Sequence, residues 1–132
     1  MSDTLLDRGY ANYNIAKDLY KIKNTDELYL NAIAYHIQQA VELTIKHILE
    51  VNGISYPWEH SIQMLLDLVD DNNIMLKESQ WIRLNAERLT SWESSTRYTK
   101  GFLVEKKYVE LALDKLSNFF IVYNPAISSM KG

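Results

Sequence analysis

The sequence predicts an all-α protein, an antiparallel up-and-down bundle of four long helices and one short one. Three observations carry this. The stretch Leu30 to Val51 repeats apolar residues at about 100° per residue, the period of an amphipathic helix. Strict apolar–polar alternation, the mark of a half-buried strand, is missing throughout. Turn signals divide the rest into helix-sized pieces: Gly53 with Pro57, Asp71-Asn72-Asn73, and Asn124-Pro125.

The chain organises around Leu30 to Val51. Leu30, Ile33, Ala34, Ile37, Ala40, Val41, Thr44, Ile45, Ile48 and Val51 share one broad arc, wider than a coiled-coil seam needs. This fits a central helix touching several neighbours. His36, Gln39, Glu42, Lys46, His47 and Glu50 share the opposite arc, with Gln38 at the border. Thr25 ahead of Asp26 and Glu27 marks the start, and Gly53 is the expected C-cap glycine.

Before it, residues 2 to 23 read as a first helix with two apolar stripes. One runs through Leu6, Tyr10, Tyr13, Lys17 and Tyr20, the other through Ala11, Ile15, Leu19 and Ile22. A tyrosine stripe suits either a subunit interface or the edge of the domain's own core. After the loop Asn52 to His60, Ser61 to Asp71 is a short third helix. Ser79 to Glu93 is a fourth, with Arg83 and Glu87 four residues apart and able to pair. Ser94 to Val104 lacks periodicity and reads as the longest linker, a place where function concentrates. Glu105 to Tyr123 is the fifth helix. Residues 1–124 form the expected domain, and 125–132 a flexible tail.

Composition excludes several classes. There is no cysteine, hence no disulfide framework, thiol nucleophile or thiolate metal site. No secretory signal or membrane-length apolar run is present, so a cytoplasmic, membrane-free protein is expected. The net charge of −3 argues against nonspecific nucleic-acid binding. Residues 1–82 hold 6 Lys/Arg and 12 Asp/Glu, a balance of −6. Residues 83–107 hold 6 basic and 3 acidic residues, a balance of +3 that suits an anionic ligand or an ordinary solvated surface. His36 and His47 are about 16 Å apart along a helix, and no His-x-x-x-His or Glu-x-x-His pair occurs, so no metal site or cofactor is expected. Phosphate-loop and Gly-x-Ser-x-Gly motifs are absent.

The run Tyr35-His36-Ile37-Gln38-Gln39-Ala40-Val41-Glu42-Leu43-Thr44-Ile45-Lys46 resembles the second-helix signature of HEPN domains. The loop Gly53-Ile54-Ser55-Tyr56-Pro57, then His60 before Ser61, and the pair Arg97-Tyr98 follow in the family's order, so the resemblance spans residues 5 to 123. It implies a HEPN-like bundle and a homodimer. It also implies a non-catalytic binding module, nucleotide-binding or partnered with a separately encoded nucleotidyltransferase in a toxin–antitoxin-like pair. The alternatives are a ribonuclease toxin acting on RNA and a structural homodimeric adaptor without a small ligand. Ribonuclease HEPN domains carry an Arg followed four to six residues later by a His. Here every His lies within the first sixty residues and none follows an Arg at that spacing, so no catalytic residue is assigned.

The ligand-binding candidates are Gln39, Lys46, His60, Arg97 and Lys100. For Lys46 the competing role is a surface ion pair with Glu42. For His60 it is capping or packing the third helix. Arg97, in the irregular linker, offers a planar fork to phosphate or carboxylate. Its structural alternative is an ion pair with a buried acid such as Glu42.

Overall fold

A computed structural model describes residues 3–126, and every regular element among them is a helix. These are α1 (Leu5–Lys23), α2 (Glu27–Val51), α3 (Ile62–Asp71), α4 (Gln80–Leu84), α5 (Ala86–Tyr98), α6 (Lys106–Lys115) and α7 (Ser117–Val122). Of the expected tail, residues 127–132 lie outside the described residues.

Local chemistry sets the ends. Thr4 and Asp7 form a reciprocal capping box at the start of α1. Asp26, rather than Thr25, caps α2: its Oδ1 accepts from the backbone N–H of Leu28 at 3.0 Å and of Tyr29 at 3.3 Å. At the other end Gly53 takes φ +72°. Its N–H donates to Glu50 O, and that of Ile54 to Leu49 O, which is the Schellman arrangement. Asn73, at φ +56°, ends α3 in the same way.

α2 is the central element and packs against α1, α3, α5 and α6. Ile33, Ala34, Ile37, Ala40, Val41 and Ile45 are completely buried, as the arc predicts. On α1 the tyrosine stripe turns to the protein's own core: Tyr13 is buried and stacks on Phe120 with centroids 4.2 Å apart. Ile15 and Ile22, from the second stripe, are exposed.

Two expected helices are interrupted. Ser79 to Glu93 breaks at Asn85, whose backbone N–H and side-chain Nδ2 both donate to Trp81 O, closing off α4. The expected helix Glu105 to Tyr123 breaks at Leu116, between α6 and α7. The irregular segment is also shorter than expected. Residues 94–98 continue α5, because Thr96 Oγ1 donates to Trp92 O at 2.6 Å and satisfies the hydroxyl within the helix. The expected Arg83–Glu87 pair is replaced by a two-pronged bond from Arg83 to Asp70 at 2.7 and 2.9 Å, joining α4 to α3.

The true linker, residues 99–105, is pinned by Asn31. Its buried side chain donates to Phe102 O at 2.7 Å and accepts from Val104 N–H at 2.8 Å. A wandering segment is thereby fastened to the middle of the fold, and α6 starts from a fixed point.

Candidate functional site

The middle of the polar arc of α2 is covered by α5 and the loop after α2, so that Glu42 and Lys46 are buried while Glu50 at its end stays exposed. Glu42 lies in this arc with its side chain only 2% exposed. Burying a carboxylate is costly unless donors meet it, and here they do. Gln38 Nε2 donates to Oε1 at 2.7 Å, and Lys46 Nζ donates to Oε2 at 3.0 Å. His60 Nδ1 lies 3.1 Å from both oxygens. The Glu42–Lys46 pair expected at the surface is therefore buried. Gln39 Nε2 donates to Gln38 Oε1 at 2.7 Å, which puts Gln39 one step behind the carboxylate.

His60 does not cap α3, since Ser61 Oγ accepts from Met64 N–H there. Its imidazole points across to α5, with Nε2 3.8 Å from Glu93 Oε1. Glu93 in turn pairs with Arg97 Nη2. Arg97 Nε donates to Glu93 O at 2.9 Å, and Nη1 donates to Tyr98 Oη at 3.0 Å. The guanidinium sits 4.6 Å from the ring centroids of both Tyr35 and Tyr98. Arg97 thus belongs to the last turn of α5, not to an irregular linker, and its acid is Glu93 rather than Glu42.

The result is one chain of alternating charge from α2 to α5: Lys46, Glu42, His60, Glu93, Arg97. The two cations and two carboxylates of this chain cancel, with the imidazole set between the carboxylates. Lys46 Nζ also lies 5.3 Å from the centroid of Tyr56. The Tyr56 hydroxyl is pushed up to about 12 by burial first, then by its 2.7 Å bond to Glu50 and by the charges of Glu50 and Glu42.

Of the five candidates, the fold joins Gln39, Lys46, His60 and Arg97. Lys100 stands apart on an exposed turn beyond α5. Gln38, Glu93 and Tyr35 were missed as members. The i,i+4 spacings Gln38–Glu42 and Glu93–Arg97 were the available signals. Chemically, the edge of this chain presents a half-exposed imidazole aimed by a buried carboxylate and a guanidinium with three of its five N–H groups engaged.

No helix among the described residues is long and apolar enough to cross a membrane. No curated protein and no solved structure matches the chain. The sequence model of the HEPN domain matches residues 2–123, nearly the whole length, and the chain belongs to the HEPN domain family.

Proposed function

We propose that the chain is a non-catalytic HEPN binding module that takes a nucleotide at the His60–Arg97 edge. The observation that carries this reading is Arg97 itself. Two of its N–H groups remain for a phosphate, and the guanidinium lies 4.6 Å from the centroids of two aromatic rings. Tyr98 is 73% exposed and offers a face for a base. Lys46 and Gln38 hold Glu42 and so orient His60, Gln39 braces Gln38 from behind, and Lys100 adds long-range attraction. A homodimer working beside a separately encoded nucleotidyltransferase follows from the family likeness.

Calorimetric titration with ATP and with inorganic phosphate tests the site. Arg97→Ala is expected to weaken ATP by about tenfold to a hundredfold. Arg97→Lys should recover part, since it keeps charge without the fork. Unchanged affinity in a stably folded Arg97→Ala protein removes this site. The absence of any heat with the wild-type chain favours the ligand-free adaptor.

One observation favours the ribonuclease reading. His60 and Arg97 both approach Glu93 Oε1, so a His–Arg pair exists in space although the sequence spacing lacks it. RNA cleavage lost in both His60→Ala and Arg97→Ala would replace the binding-module reading.

A further inference from the structure

The chain has four arginines. Arg8 pairs with Asp3, Arg83 with Asp70 and Arg97 with Glu93. Arg88 differs: among the described residues it has no carboxylate partner, although it is half-buried. Its guanidinium donates from Nη1 to Asn85 Oδ1 at 3.1 Å and sits over Tyr108, with Cζ 3.8 Å from the ring centroid. A guanidinium fixed on an aromatic face keeps its in-plane donors for a planar anion.

Arg88 lines a cavity of about 530 Å³ between α5 and α6. That volume is in the range of small-molecule sites. Buried Trp92 and Val104 with half-buried Phe102 give it an apolar floor, and exposed Leu84 and Leu103 give it an apolar rim. The polar edges are Asn85, Ser91 and two exposed carboxylates, Glu87 and Glu105. Glu105 lies 3.4 Å from Lys107 Nζ. One guanidinium without a carboxylate partner, with carboxylates on the cavity's polar edge, suits an anionic group of low charge and repels a polyphosphate.

We propose that the α5–α6 cavity binds a small organic anion with an apolar body, its carboxylate or monoester phosphate held by the Arg88 guanidinium and its body resting on Trp92 and Phe102. This site is separate from the His60–Arg97 edge. Its ligand differs in kind from a nucleotide triphosphate.

Titration calorimetry with 3-phenylpropionate, phenyl phosphate, inorganic phosphate and ATP tests it on the full chain. Saturable binding of 3-phenylpropionate or phenyl phosphate is expected, and the stronger of the two identifies the headgroup. Inorganic phosphate should bind weakly, lacking the apolar body. Arg88→Ala should weaken the organic probe by about tenfold or more. Ser91→Trp, which fills the cavity from an exposed position, should abolish binding in a protein with a normal melt. Arg97→Ala should leave this binding unchanged, which separates the site from the nucleotide edge. No saturable heat with either organic probe at millimolar concentration, or full binding in a folded Ser91→Trp protein, overturns the proposal.

Discussion

Glu42 receives three donors from two segments of chain, and the alternating charges of the α2–α5 edge start from it. Cutting such a side chain away leaves Lys46 buried without its carboxylate and His60 unanchored. Breaking a buried pair by removing one partner costs about 3–5 kcal/mol. Glu42→Ala is therefore expected to lose that much stability in urea denaturation. A Glu42→Leu, Lys46→Met double variant should regain most of it, because apolar replacement removes both desolvation costs. A Glu42→Ala loss below about 0.5 kcal/mol, the size of an ordinary surface change, would contradict the buried role. At this scale the sequence was half legible. The Glu42–Lys46 pairing follows from spacing alone, but its depth comes from α5 and the loop folding over it, which no helical wheel contains. Arg97's partner was hidden differently. Ser94, Ser95 and Thr96 read as a break, whereas Thr96 bonds back into the helix and brings Arg97 one turn above Glu93.

Among the elements, α1 and α2 approach closely at Gly9. A Cβ on Gly9 would stand 2.7 Å from Thr44 Oγ1 and 3.0 Å from Ala40 O, so only glycine admits this spacing. Further along the same seam, His36 Nδ1 meets Asn12 Oδ1 at 2.7 Å. Burial holds the His36 imidazole below its ordinary value of 6.5. Below pH 6.5 the unfolded chain therefore binds a proton that the folded chain resists, and stability falls as pH drops from 6.5 through the lower folded value. Thermal melts across that window should show this fall, and His36→Gln should flatten it relative to wild type. An unaltered slope in His36→Gln would show that the seam does not disfavour the charged ring. α1, α2 and α3 were legible to within a few residues because period and caps agree. The interruptions at Asn85 and Leu116 were not, since the apolar stripe runs across both and only the backbone turns aside.

The whole molecule leaves a number of large apolar side chains uncovered, among them Ile15 and Ile22 of α1 and Leu28 and Tyr29 at the start of α2. These exposed side chains, rather than the tyrosine stripe, motivate the homodimer. Light scattering coupled to gel filtration is expected to give twice the 15.4 kDa of the chain, and Ile22→Glu should shift the mass downward. A mass of 15.4 kDa across the micromolar range would remove the dimer. The fold class and the central position of α2 were readable at this scale because a wide apolar arc has few other uses. The cavity under Arg88 was not, as it is formed by segments brought together only in the folded chain. The Asn31 fastening has a kinetic side. Its two bonds span 71 and 73 residues, so they form only after the intervening helices have been drawn in. Such a contact is expected on the native side of the folding barrier. Asn31→Ala should then hasten unfolding in stopped-flow experiments while leaving the folding arm of the chevron in place. A slowed folding arm would put Asn31 in the nucleus instead. In the native-side case one amide acts as a latch, setting how long the bundle stays shut rather than how quickly it assembles.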